Sequence, residues 1–276
     1  MQVKVISADM KSLIAMLLTV CLGICSLSEA QDSKKSTIKE REREEPKNFS
    51  VGGEIRYYNY TEPGFVSHMG LLYGMWGEWL WTSALGNGKI YGNLLYGPLV
   101  YDGQACKISG GSCVPLSATT QDIITKVNTR LEFKLNSAYY LFLGVGFRYL
   151  YDKGEGSSFY TRTGKWAYIP VGGGVNFETV MGKILIDFEY DYTVYGNVKS
   201  SLSEVSRLLN DITSNQKGGY GLVANLGMSI NKSLNAYLVY ESWNAGDSDI
   251  QMSGSQFFQE PANNSQSYGV KLGYLF

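Results

Sequence analysis

In QSYGVKLGYLF, residues 266 to 276, Tyr268, Val270, Leu272, Tyr274 and Phe276 fall at every second position, with Ser267, Gly269, Lys271 and Gly273 between them. Side chains of a strand point alternately to its two faces, so this segment has one apolar face and one small or polar face. An end of this kind frays in water and exposes its aromatics. Packed against lipid on its apolar side, it has no such problem.

The same alternation recurs from Ser50 onward. Ten strands are expected at 50–61, 67–81, 88–97, 126–136, 139–151, 166–178, 183–195, 218–230, 234–243 and 266–276. In the seventh, Ile184, Ile186, Phe188, Tyr190, Tyr192 and Val194 alternate with Leu185, Asp187, Glu189, Asp191 and Thr193. In the fourth, Val127, Thr129, Leu131, Phe133 and Leu135 alternate with Asn128, Arg130, Glu132, Lys134 and Asn136. Three carboxylates on one face of a strand cannot enter a dry core, and the aromatic face cannot meet water. Lipid on one side and a polar lumen on the other satisfies both.

Connections alternate in length. Short ones run around Leu85 to Gly88, Asn136 to Ala138, Thr179 to Gly182 and Asn231 to Ser233. Long ones run from Pro98 to Thr125, Asp152 to Lys165, Gly196 to Lys217 and Asn244 to Ser265, and only the first link on that side, Glu62 to Val66, is short. Short turns on one side and long loops on the other are the pattern of an up-and-down transmembrane barrel with both termini inside. The expected fold is therefore all-β, an antiparallel up-and-down barrel of ten strands. Eight or twelve are the alternatives left open by the weaker third and ninth strands and by a hairpin hidden in the Pro98 to Thr125 link.

The closing strand resembles that of bacterial outer-membrane β-barrels, which finish on an amphipathic strand with a terminal Phe read by the assembly machinery. The segment from Ser50 to Phe276 as a whole resembles the small porin and OmpA-like barrels. The resemblance implies that Tyr268, Tyr274 and Phe276 form an assembly signal. It also implies contact with outer-membrane lipid, lipopolysaccharide and the barrel-assembly machinery, and residence in the bacterial outer membrane.

Composition agrees with a barrel. The chain of 276 residues has a formal net charge of −1, 21 Tyr, 32 Gly, 6 Pro and one His. Tyr suits the headgroup level and Gly the crowded inner wall. Near-neutral charge, with no basic stripe, argues against nucleic acid. Residues 1–30 read as a signal peptide: Lys4 and Lys11 precede an apolar run from Leu13 to Cys25, and Ser28-Glu29-Ala30 offers a cleavage site. A lipoprotein signal at Cys25 is the alternative. Residues 31–49 form a charged periplasmic leader, with 50–276 as the barrel.

Cys106 and Cys113, written CKISGGSC in the longest link, are expected to form a disulfide in an exported chain. Metal binding at that pair lacks a nearby His or third Cys, and no metal or cofactor site is assigned. In the loop after strand seven, Ser201 and Glu204 have capping-box spacing, and Leu208, Leu209 and Ile212 follow at helical intervals, so a short helix is expected there.

The alternation turns Glu54, Arg56, Glu78, Arg130, Glu132, Lys134, Arg148, Glu178, Asp187, Glu189, Asp191, Glu241 and Lys271 into the lumen. Both signs crowd a barrel little wider than those that side chains fill, so a charge network that plugs the lumen is expected. At most a narrow path along Asp187, Glu189 and Asp191 remains, and it prefers cations. The expected function is structural or surface-interacting, with an adhesin acting through its outer loops as one alternative. A hydrolase of the omptin or lipid-directed type is another. It would need His68, which faces inward near the outer rim, with Glu62, Asp102 or Asp152 as nearby acids. No Asp-Xaa-Asp or Asp-Xaa-His spelling falls at the expected places, and the His-Xaa-Ser spacing of lipid A deacylases is not seen, so the chain is not expected to be an enzyme. Trp76, Trp79, Trp81, Trp166 and Trp243 read as interfacial girdle residues.

Overall fold

The computed structural model describes residues 48–83, 86–106, 113–156, 159–179 and 182–276. The expected signal peptide, all but the last two residues of the leader, and the Cys106 and Cys113 side chains lie outside the described residues. Ten long strands build the wall: β1 (Phe49–Glu62), β2 (Val66–Ser83), β3 (Gly86–Cys106), β4 (Cys113–Lys134), β5 (Tyr139–Gly154), β6 (Thr161–Thr179), β7 (Gly182–Ser200), β9 (Gly219–Ser229), β10 (Leu234–Ala245) and β13 (Asn263–Leu275). Three short strands, β8 (Ile212–Asn215), β11 (Gln251–Ser253) and β12 (Gln256–Phe258), decorate the outer end. Every pairing is antiparallel, and β1 joins β13 while β6 joins β7, so the sheet closes on itself.

Two sequence features tie down the turns on the inner side. Asn136 Oδ1 accepts from the backbone N–H groups of Ala138 and Tyr139. Asn231 Oδ1 does the same for Ser233 and Leu234. An Asn side chain that mimics backbone in this way fixes a tight turn between two strands.

The outer links are shorter than the sequence suggests, because β3 and β4 continue upward as one hairpin. Pro98 pairs with Gln121 and Cys106 with Cys113, so most of the Pro98 to Thr125 link is strand. The expected helix after β7 is also absent among the described residues, where a single 3-10 turn spans Leu202–Glu204. Glu204 does not cap it: its carboxylate accepts from Thr161 N and Oγ1 on β6. Ser203 meanwhile donates to Asp211, folding the segment back before a helical turn repeats.

Outward side chains form an apolar belt. Leu71, Met75, Val145, Phe188, Leu238 and Leu272 are among those with 56–63 % or similar exposure. With no water partner available in a bilayer, a closed ladder of backbone hydrogen bonds is what lets strands cross it. Above the belt the outward face turns polar at Ser67, Asp102, Gln121 and Lys153, so the wall projects beyond the lipid on the loop side. Trp79 and Trp81 lie at the opposite end with their rings 5.6 Å apart, in the expected girdle. Trp76, Trp166 and Trp243 instead face inward and are 1–3 % exposed, which corrects the girdle reading for those three.

Among the described residues one β-bulge breaks the alternation. Tyr195 opposes Ala167 and Thr193 opposes Tyr168, which leaves Val194 as the extra residue in β7. Below it odd residues of β7 face the lumen, and above it even ones do.

The inner wall is crowded enough to require glycine. A Cβ on Gly74 would stand 1.8 Å from the Leu94 carbonyl oxygen, whereas one on the outward Gly77 would find its nearest atom at 3.7 Å. Gly74→Ala is therefore expected to destabilise the barrel by about 1–3 kcal/mol, as overpacking does. Gly77→Ala should be close to neutral. Urea midpoints of the two refolded variants check this, and equal midpoints would contradict it.

Candidate functional site

The lumen is filled from bottom to top in distinct layers. At the inner mouth Lys89 Nζ lies 2.9 Å from Glu78 and 3.6 Å from Glu132. Lys134 and Glu178 sit at that mouth and are exposed, Glu178 in register with Lys183. A cavity of about 500 Å³ opens there.

The middle layer is ionic and buried. Lys126 reaches across from β4 to two carboxylates of β7, Glu189 at 2.9 Å and Asp191 at 2.7 Å. Arg130 meets Asp187 at 2.8 Å, Glu189 at 3.5 Å and Glu132 at 3.0 Å. Arg56 bridges Glu54 at 2.9 Å and Glu241 at 2.8 Å. Lys271 lies 3.9 Å from Glu54 and donates to Tyr91 Oη at 2.6 Å. Arg148 is not a partner of the β7 acids; it stands 3.9 Å from Glu241, 3.3 Å from Ser265 Oγ and against the rings of Trp166 and Trp243. One pocket in this layer holds about 60 Å³, and another beside Arg148 about 10 Å³. Lys126, which with Arg130 joins β4 to β7, is absent from the inward residues singled out in the sequence, although its even position on strand four places it with Arg130.

Above the ions lies an aromatic collar. Tyr168 and Trp243 are edge to face at 5.5 Å, and Trp166 meets Trp243 at 6.3 Å. Trp166 Nε1 donates to Gln216 Oε1 at 2.9 Å.

The outermost layer is acidic. His68 is 2 % exposed and is held edge-on between Tyr60 at 5.3 Å and Tyr101 at 4.9 Å. Asp122 on β4 and Asp152 on β5 are direct register partners, both buried. One ligand atom from each of His68, Asp122 and Asp152 lies within 4.8 Å of the others. Thr120 donates to Asp122 at 2.8 Å. Arg162 contacts Glu62, Asp152 at 3.4 Å and Glu260 at 3.5 Å. A cavity of about 610 Å³ lined by His68, Asp152 and Arg162 opens above.

Of the acids considered beside His68, Asp152 meets it, Glu62 belongs to the Arg162 cluster and Asp102 points outward. Asp122 was hidden in the expected link, though its spacing of two and four from Ile124 and Lys126 continues the inward face of the fourth strand. This cluster lies above the apolar belt. Burial, with the charge of Arg162 beside it, pulls the His68 imidazole down to about 3, so it is neutral in ordinary buffers. Burial and then the charge of Asp152 push Asp122 well above the usual carboxylate range. Burial pushes Asp152 the same way, against the pull of Arg162.

A closed wall with an apolar belt outside and ion pairs inside defines a transmembrane β-barrel of the outer-membrane type. No protein-family model matches the chain, and no curated protein matches it either. Similar solved structures are bacterial outer-membrane barrels. The outer membrane protease OmpT from Escherichia coli aligns at 14 % identity and a TM-score of 0.48, over 84 % of this chain and 98 % of that one. The translocator domain of the autotransporter NalP from Neisseria meningitidis aligns at 14 % identity and 0.40, over 96 % and 98 %. Ail, the attachment invasion locus protein of Yersinia pestis, aligns at 11 % identity and 0.31, over 84 % and 100 %. At such distances the likeness stops at the barrel, and the site must be read from its own residues.

Removing one partner of a buried ion pair leaves an uncompensated charge and costs about 3–5 kcal/mol, whereas removing both is far milder. Lys126→Met is expected to lower unfolding stability by that amount, and adding Glu189→Gln with Asp191→Asn should recover much of it. Urea titration of the refolded proteins in detergent measures both steps. Independent, additive losses would show that the three groups do not act as one unit.

Proposed function

We propose that this chain is an outer-membrane β-barrel that does not conduct and that acts at the outer surface through its rim and projecting hairpins. The observation that carries this reading is the bridge from Lys126 to Glu189 and Asp191, which leaves about 60 Å³ in the middle of the lumen. A pocket of that size suits a few ordered water molecules rather than bulk water. Asp187, Glu189 and Asp191 are each bound to a cation of the chain, so they offer no free acidic track to a passing ion. A surface role is supported by apolar side chains beyond the belt: Ile250, Met252 and Phe257 on the β11–β12 hairpin are 63–76 % exposed. Clustered exposed apolar residues of this sort mark contact sites. Export through residues 1–30 and a Cys106–Cys113 disulfide belong to the same reading, the second favoured because the two residues are cross-strand partners.

Refolded protein in planar bilayers is expected to be electrically silent while its gel mobility reports a folded barrel. Discrete cation-selective openings would refute the closed lumen and return the inner acids to the role of a selectivity filter. In protein recovered from an oxidising compartment, Cys106 and Cys113 should resist alkylation until a reductant is added; ready alkylation without one would remove the disulfide.

A further inference from the structure

Charge is balanced differently at two heights in the lumen. Among the described residues, the inner and middle layers set Lys89, Arg56, Lys126, Arg130, Arg148 and Lys271 against a comparable number of carboxylates. The outer layer sets Arg162 alone against Glu62, Asp122, Asp152 and Glu260, all buried. Two aspartates directly opposite across an antiparallel pair repel each other, and burial strengthens that repulsion. Such an arrangement is relieved by a proton or by a cation.

We propose that His68, Asp122 and Asp152 form a divalent-cation site of the zinc class, reached from the outer vestibule. Three strands, β2, β4 and β5, each deliver one ligand. His68 Nδ1 and Asp152 Oδ1 are buried with no hydrogen-bond partner, and both residues are more than nine-tenths buried. An orphaned buried polar atom is costly unless something ligates it. Thr120 occupies one oxygen of Asp122 and Arg162 one of Asp152, which leaves a second oxygen on each carboxylate. Bonds of about 2.0–2.2 Å in a tetrahedral zinc site hold ligand atoms roughly 3.4 Å apart. The present spread of up to 4.8 Å is wider, so a bound ion would draw the three side chains together.

An imidazole among the ligands favours zinc over calcium or magnesium, which take oxygen. Three protein ligands leave the fourth position to water from the 610 Å³ vestibule. Arg162 opposes a bound cation, but Glu62 and Glu260 already neutralise it. The site is independent of whether the lumen conducts.

The test uses protein made without a histidine tag and with its thiols alkylated, refolded in detergent near neutral pH and titrated with Zn²⁺. One equivalent should bind at micromolar concentration or below, and the imidazole resonances of the chain's single histidine should shift in step with it. His68→Ala and Asp122→Asn should each weaken binding by at least the roughly 10- to 100-fold that loss of mere outer-shell partners costs. Should either variant fail to fold, the wild-type histidine signal alone decides. The proposal is overturned by non-saturable binding, by saturation that leaves the histidine signal unmoved, by folded variants that bind like the wild type, or by Ca²⁺ or Mg²⁺ binding as tightly as Zn²⁺.

Discussion

The lumen must neutralise itself. A ten-stranded wall encloses too little space for bulk water, so each charge that the alternation turns inward has to find its counterpart on the opposite strands. Lys126 does this in the middle of the lumen, where its ammonium group joins β4 to two carboxylates of β7. The hydrogen-bonded ladder alone fixes a cylinder. The cross-lumen contacts fix which side chains fill it, and they tie non-adjacent strands together.

The filling also divides the molecule by height. Paired ions occupy the depth of the apolar belt, indole and phenol rings form a collar above them, and acids surround one guanidinium at the rim. The order follows solvent access. Ions within the belt have only each other, so opposite signs match closely. Above the belt the wall stands in polar surroundings and opens to a vestibule, so an imbalance of charge can be met from outside.

Much of the architecture was legible in the sequence because a period of two leaves little freedom. Asp187, Glu189 and Asp191 could not face lipid, and Phe188, Tyr190 and Tyr192 could not face the ions, so β7 had only one orientation. His68 was placed inward by the same rule. What was not legible depended on where a strand ends or on what stands opposite it. Gly97-Pro98 reads as punctuation, yet Pro98 sits outward in β3 and the ladder continues past it, so Asp122 appeared to lie in a loop and its partner Asp152 stood alone. Tryptophan suits both an interface and a packed interior, and composition does not separate Trp79 from Trp76. The helix signal between Ser201 and Ile212 was real as a local preference; contacts from Glu204 to Thr161 and from Ser203 to Asp211 outweigh it.

The extra residue at Val194–Tyr195 works as a phase shift in the strand. Without it, Gly196 would follow the outward positions of β7. With it, Gly196 comes beneath the indole of Trp166, where any Cβ would stand 2.6 Å from Cδ1. The seat of that ring is thus made by a change of frame and an atom left out. One inserted residue sets the level at which the interior of the barrel passes from ionic to aromatic filling.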